Sequence, residues 1–167
     1  MVGQKNQTGP LIRKINEHEH KILREIFYHA IFMPDDADPL PFSIVDHPDL
    51  VKYHENWGRK GDIALVAELE GKVVGASWCR LWKGLEKGYG FITDDIPELS
   101  MAVIPEYRGR GIGTALLRKL FGEVQAAGYT ALSISVEKRN RAVKLYKRLG
   151  FKIKKDKFPD YLMQIDL

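Results

Sequence analysis

Residues 98–114 hold the densest group of side chains that could do chemistry. A strand-like run over 99–104 leads into Arg-Gly-Arg-Gly-Ile-Gly (108–113), after which a helical pattern begins. Glycines let the backbone approach a ligand closely, and a new helix offers unpaired N–H groups and the positive end of its dipole. This order of strand, turn and helix predicts a phosphate or pyrophosphate site, to which Arg108 and Arg110 could add charged hydrogen bonds.

Spacing discriminates among the common phosphate-binding loops. The P-loop needs a Lys after its last glycine, but Thr114 stands there. The dinucleotide motif Gly-x-Gly-x-x-Gly, counted from Gly109, also meets Thr114 where it needs a third glycine. The pattern that fits is Arg-x-x-Gly-x-Gly, formed by Arg108, Gly111 and Gly113. A glycine turn without a ligand is the alternative.

A second motif follows further along the chain, and its members are Asn140, Ala142, Leu145, Tyr146, Gly150 and Phe151. In this order the two motifs resemble the signatures of the GNAT superfamily of acetyl-CoA-dependent N-acetyltransferases. The resemblance covers residues 60–155 well and the first 60 only in element order. It implies an α/β (α+β) fold with a mixed, bent central sheet of about seven strands flanked by about four helices.

Hydrophobic periodicity predicts the element order β-α-(α)-β-β-β-α-β-α-β-β, with the bracketed helix around residues 49–57. The 167 residues are enough to bury a core, so we expect a single GNAT-like domain over 1–167. Its acceptor-side half would be about residues 1–95, and its acetyl-CoA-binding half about residues 96–155.

The resemblance also implies where acetyl-CoA would bind. The sheet should open between the strands at 98–104 and 130–136, and the backbone of 101–103 should pair with the pantetheine arm as another strand would. Backbone N–H groups of the glycine turn should hold the pyrophosphate. The expected cofactor-binding residues are Met101, Ala102, Val103, Arg108, Gly109, Arg110, Gly111, Ile112, Gly113, Thr114 and Asn140.

Transfer of an acetyl group from a thioester to an amine needs a neutral amine and a proton for the departing thiolate. Glu98 stands where the family often carries its base; a solubilising residue at a strand edge is the alternative. Tyr146 is the predicted general acid, although a packed aromatic residue would also fit its apolar stripe. Competing candidates for the base are Asp94, Asp95, His47 and His54.

The lone cysteine, Cys79, has no acidic or His neighbour in sequence, so we read it as a buried small residue and not as a nucleophile. We therefore expect direct transfer without a covalent acyl-enzyme and without a metal. The polar N-terminus lacks the apolar core of a signal peptide, and no run of about 18 apolar residues follows it. With a single cysteine, these features favour a cytoplasmic protein away from membranes.

The distribution of charge bears on partners. Acidic residues dominate 34–56, which favours a cationic amine acceptor, whereas 138–157 carries ten Lys or Arg and one acidic residue. Solvated loop and helix faces are the alternative reading of both. We do not expect nucleic-acid binding, since no reader motif accompanies the basic run. A homodimer is compatible with the family, and a catalytically silent CoA-binding regulatory module is the alternative function.

Overall fold

The computed structural model describes residues 9–167, so the first eight residues, which carry most of the expectation about a signal peptide, lie outside it. Within the described residues one sheet of seven strands forms: β1 (Leu11–Lys14), β2 (Ile63–Leu69), β3 (Lys72–Arg80), β4 (Glu98–Val103), β5 (Ala131–Glu137), β6 (Lys152–Lys157) and β7 (Asp160–Asp166). The α-helices are α1 (Ile22–Ala30), α2 (Ile112–Ala126) and α3 (Ala142–Leu149). The predicted fold class and strand number are confirmed.

The helix predicted around 49–57 is wrong. This region forms one short 3-10 helix, Val51–Tyr53, and another 3-10 helix, Phe42–Asp46, precedes it. Pro48 restricts the backbone before it and donates no hydrogen bond. The carbonyls of Lys52, Glu55 and Asn56 accept hydrogen bonds from the Arg80 side chain instead of from a following helical turn. A tertiary contact therefore replaces the helix that periodicity alone predicts.

The strands lie in the order β1-β2-β3-β4-β5-β7-β6, and every neighbouring pair is antiparallel except β4 and β5. These two parallel strands pair only at Glu98 and Ser133, beside one hydrogen bond from Ser133 N to Pro97 O at 3.0 Å. Beyond that point the strands separate. The predicted opening of the sheet between 98–104 and 130–136 is thus present.

Apolar side chains on the two faces of the sheet form two cores. On one face, α2 and α3 cover residues that include Leu65, Leu132 and Met163. On the other, α1 and the two 3-10 helices cover residues that include Trp78 and Trp82. The alternation of side chains along each strand sends neighbouring residues to opposite cores. Side chains of β4 pack into both cores, which fixes this strand beside the opening.

Strand β6 forms one edge of the sheet, and all six of its residues are exposed. Its sequence, Lys-Ile-Lys-Lys-Asp-Lys, places charge where another strand could otherwise pair. Part of the basic 138–157 run is therefore accounted for by protection of a sheet edge. In the region 9–167 no helix is both long and apolar enough to cross a membrane.

Candidate active site

The separation of β4 from β5 opens a cleft of about 1350 Å³. Predicted cofactor-binding residues that line it are Met101, Val103, Arg108, Gly109, Gly111, Ile112, Gly113, Thr114 and Asn140. Among the described residues, Ala102 and Arg110 are not part of this lining, and the Ala102 side chain packs into the core beneath α1. The cleft brings both sequence motifs to one place.

The glycine turn ends where α2 begins. Gly111 has φ of 78°, a left-handed conformation that favours glycine, and it precedes the first residue of the helix. The first helical hydrogen bond runs from Ala115 N to Gly111 O at 3.1 Å. The N–H groups of residues 111–114 are therefore left without partners within the helix. No other group approaches the position of a Cβ on Gly109 or Gly111 within 4 Å, so this end of the cleft fits an anionic pyrophosphate.

The two arginines of the turn use their side chains within the protein. Arg108 donates from Nε to Val103 O at 2.9 Å and from a terminal nitrogen to His29 O at 3.3 Å. Arg110 donates to Glu106 O at 3.1 Å and lies over the ring of Tyr107. These contacts brace the turn against β4 and the end of α1. The expected charged hydrogen bonds from either side chain to a phosphate stay predictions.

Asn140 lines the cleft from the loop before α3. Its Oδ1 accepts a hydrogen bond from Ala142 N at 2.9 Å, which closes a turn directly before the first residue of α3. This contact fixes the entry to α3, and with it the position of Tyr146 one turn further on. Direct contact of Asn140 with a pantetheine group stays a prediction.

Glu98 lies at the opposite end of β4 from the glycine turn and is only 4% exposed. Its carboxylate accepts hydrogen bonds from Tyr53 Oη at 2.9 Å, Gly90 N at 2.9 Å and Trp82 Nε1 at 2.6 Å. Burial raises the pKa of Glu98 to about 6, against the lowering effect of these three donors and of Lys52. A buried carboxylate at a cleft is the opposite of a solubilising edge residue.

The loop between β3 and β4 closes around this carboxylate. A Cβ on Gly88 would lie 2.0 Å from Glu98 Oε2, and a Cβ on Gly90 would lie 2.8 Å from Glu98 Cδ and from Ser135 N. No side chain larger than hydrogen fits at either position without displacing its neighbours. Glycine is needed here for close approach, and the loop packs Glu98 against β5.

Tyr146 projects from α3 into the lining of the cleft and is 3% exposed. Its ring packs edge-on against Phe151 at a centroid distance of 5.4 Å. Burial raises the pKa of the phenol, which keeps it protonated at neutral pH. Tyr146 thus packs in the core and also lines the cleft. This position is compatible both with a packed aromatic residue and with a general acid.

The competing candidates for the base lie elsewhere. His54 is buried, with Nε2 2.9 Å from Val45 O, and His47 is exposed beside Asp49. Neither histidine lines the cleft, nor do Asp94 and Asp95. Burial raises the pKa of Cys79 to about 12, so its thiol stays protonated. Within residues 9–167 no cluster of three or more His, Cys, Asp or Glu side chains could hold a metal ion.

The sequence does not indicate which residues surround Glu98. Tyr53 and Trp82 donate to it directly, and the Arg80–Asp62 ion pair lies behind Tyr53. Tyr53 is far from Glu98 along the chain and belongs to no motif, so nothing in the sequence connects the two. The glycines that flank Tyr89 were the one available signal of a close approach.

The sequence profile of the acetyltransferase (GNAT) family matches residues 27–151 of this chain. The chain therefore belongs to that family, which confirms the resemblance carried by the two motifs.

Individual proteins agree with the family. The N-alpha-acetyltransferase of Sulfurisphaera tokodaii is 39% identical over 92 residues, 52% of this chain and 54% of the relative. The L-methionine sulfoximine/L-methionine sulfone acetyltransferase of Salmonella typhimurium is 27% identical over 143 residues, 85% of this chain and 80% of the relative. The chain spans about half the length of the archaeal N-acetyltransferases that it matches, 42% of one and 54% of the other.

The fold is shared with a solved structure of yncA from Salmonella typhimurium, which contains acetyl-CoA. That structure superposes with a TM-score of 0.69 over 96% of this chain and 95% of the other, at 24% identity.

Proposed function

We propose that this protein is an N-acetyltransferase that moves an acetyl group from acetyl-CoA directly to a primary amine. The observation that carries the proposal is the cleft between β4 and β5. A buried carboxylate, Glu98, lies at one end of β4, and the unpaired N–H groups at the start of α2 follow its other end. Acetyl-CoA, which is anionic, and an amine acceptor could thus meet along one strand.

The chain offers specific groups to hold acetyl-CoA, which supplies the activated acetyl thioester when bound. Met101 and Val103 line the gap left by β5, and their backbone groups would pair with the pantetheine arm. The N–H groups of 111–114 would bind the pyrophosphate. Asn140 would contact the arm from the α3 side of the cleft.

Glu98 and Tyr146 would divide the proton transfers. Glu98 would take a proton from the acceptor ammonium, directly or through a water, because its pKa of about 6 leaves it ionised at neutral pH. Tyr146 would give a proton to the departing thiolate, because its raised pKa keeps the phenol protonated until then. Backbone N–H groups of β4 near Met101 would stabilise the oxyanion.

The acceptor is proposed to be an α-amino group of an amino acid or a peptide. Support comes from the names of two relatives, an N-alpha-acetyltransferase and an L-methionine sulfoximine/L-methionine sulfone acetyltransferase. Asp35, Asp36 and Asp160 also line the cleft and would attract a cationic acceptor.

The direct test is to incubate the protein with acetyl-CoA and three acceptors: L-methionine sulfone, a peptide with a free N-terminus and Nα-acetyl-lysine amide. Mass spectrometry would identify the acetylated nitrogen. Acetylation of the first or second acceptor supports the proposal, and acetylation of lysine alone would replace the α-amino assignment by an ε-amino one. Tight acetyl-CoA binding without acetylation of any amine would favour the silent CoA-binding module.

A further inference from the structure

A buried ion pair lies behind the wall of the cleft. Arg80, at the end of β3, donates from Nε to Asp62 Oδ1 at 2.9 Å and from a terminal nitrogen to Oδ2 at 2.8 Å. The two side chains are 2% and 1% exposed. A charge pair taken this far from water is costly unless its remaining donors and acceptors are also satisfied. The other contacts of Arg80 and Asp62 therefore show what the pair holds.

Those contacts all lead to one segment of chain. Arg80 donates to the carbonyls of Lys52 at 2.6 Å, Glu55 at 2.8 Å and Asn56 at 3.2 Å, and its guanidinium lies 4.8 Å from the ring centre of Trp57. Asp62 Oδ2 accepts from the N–H groups of residues 58 and 59 at 3.0 and 2.9 Å. The ion pair thus holds the backbone of residues 52–59 by hydrogen bonds. This segment has no regular helix or strand beyond one 3-10 turn.

Tyr53 lies within the segment 52–59, and its side chain contacts the Glu98 carboxylate at the cleft. Its Oη donates to Glu98 Oε1 at 2.9 Å and accepts from Tyr89 N at 2.7 Å. Trp78 Nε1 donates to the Tyr53 carbonyl at 3.0 Å, which adds a second anchor from β3. Glu98 itself is the partner of Arg80 in the β3–β4 register. The ion pair and the carboxylate are therefore joined through Tyr53.

We propose that Arg80 and Asp62 are positioning residues, which fix the segment 52–59 so that the Tyr53 hydroxyl stays hydrogen-bonded to the Glu98 carboxylate. The catalytic consequence rests on the proposed function of Glu98 as the base, but the positioning itself does not. The titratable and charged groups that face Glu98 are Tyr53 and Lys52 from this segment and Arg80 from β3. The β3–β4 loop faces it with Trp82 Nε1 and Gly90 N, and β5 with Ser133.

The experiment follows the protonation of Glu98 itself. Protein labelled with 13C at the glutamate carboxyl carbon is titrated from pH 4 to 8, and the Glu98 resonance is assigned by its loss in Glu98→Gln. Tyr53→Phe should raise the pKa of Glu98 by about 1, because it removes one hydrogen bond to the ionised form. If the ion pair positions Tyr53, Asp62→Asn and Arg80→Lys should both raise it as well.

The Asp62→Asn variant distinguishes a positioning role of Asp62 from a direct electrostatic effect of its charge on the pKa of Glu98. Loss of the Asp62 negative charge, which also leaves the Arg80 charge unpaired, would by itself lower the pKa of the Glu98 carboxyl, whereas loss of the Tyr53 hydrogen bond raises it. Arg80→Lys keeps the charge and provides the second measurement if Asp62→Asn does not fold. Asp46→Asn is the matched control, because it breaks an exposed Asp–Arg pair with Arg24 and should leave Glu98 unchanged.

The outcomes distinguish this proposal from the proposed function. Raised Glu98 pKa values in Asp62→Asn and Arg80→Lys, with little further change when Tyr53→Phe is added, support positioning. A Glu98 titration that matches the unmutated protein in both, or that falls in Asp62→Asn, overturns it. Full amine acetylation by Glu98→Gln would instead refute the base assignment and leave the titration result standing.

Discussion

Glu98 shows how the end of a strand can hold a buried carboxylate whose pKa is raised. Burial disfavours its ionised form, and three hydrogen-bond donors oppose that effect without removing it. The resulting pKa of about 6 lies just below neutral pH, where a base is ionised yet still takes up a proton readily. Tyr53 and Trp82 supply two of these donors, so the proton affinity of Glu98 depends on residues distant in sequence.

Tyr146→Phe tests the proposed role of Tyr146 as the general acid. The change removes the hydroxyl and keeps the ring that packs on Phe151, so the melting temperature should change little. Loss of a positioned proton donor should lower kcat by about 10²-fold or more, without changing the dissociation constant for acetyl-CoA. Steady-state kinetics and calorimetric titration measure the two quantities.

Tyr161→Phe is the matched control for Tyr146→Phe, because Tyr161 packs against the same core but does not line the cleft. Its kcat should equal that of the unmutated protein. Equal kcat values for both variants would remove Tyr146 from the mechanism and leave it as a packed aromatic residue.

The element that encloses Glu98 is the β3–β4 loop, and Gly88 is its most constrained position. Gly88→Ala would place a methyl group 2.0 Å from Glu98 Oε2 and 2.7 Å from Trp82 Nε1 and Tyr53 Oη. The loop or the carboxylate must therefore move, and we expect a loss of stability of about 1–3 kcal/mol together with a large fall in kcat. Chemical denaturation and amine acetylation measure these effects.

Gly122→Ala provides the comparison within a regular element. Gly122 lies in α2, and no atom lies within 4 Å of a Cβ added there. Alanine should raise stability by about 0.5–1 kcal/mol there, with unchanged activity. If Gly88→Ala behaved like Gly122→Ala, the loop would not enclose Glu98 as described.

Elements were more predictable from the sequence than their long-range contacts. The α2 and β5 regions carry clear periodicity, and the glycine turn before α2 follows from local spacing. The segment 49–57 also has a helical pattern, but the buried Arg80 side chain takes its carbonyls. Local patterns hold no information about such a contact. The sequence therefore predicts a helix that does not form, and it does not predict the residues that surround Glu98.

At the scale of the whole molecule, the acidic excess in 34–56 divides into two parts. Asp46 pairs with Arg24, and neither Asp46 nor Asp49 lines the cleft. Asp35 and Asp36 line the cleft, although Asp35 also lies 3.6 Å from the exposed Arg141. The sequence did not indicate which of these carboxylates line the cleft, and attraction of a cationic acceptor stays a prediction.

Asp35→Asn combined with Asp36→Asn should raise KM for a cationic peptide acceptor several-fold, because the field that concentrates the acceptor at the cleft is weakened. The effect should shrink at high salt. Asp38→Asn is the control, since Asp38 is an exposed member of the same loop outside the cleft lining. An unchanged KM in the double variant would exclude attraction of a cation by this loop.

The pH dependence of amine acetylation in the unmutated protein and in Glu98→Gln tests whether Glu98 is the catalytic base. If Glu98 is the base, its ionised form is the active one, so kcat should rise with pH through about 6 and then level off. In Glu98→Gln, kcat should fall by about 10²–10⁴-fold, and the rise near pH 6 should be absent. A variant that keeps both the rate and the rise near pH 6 would contradict the account.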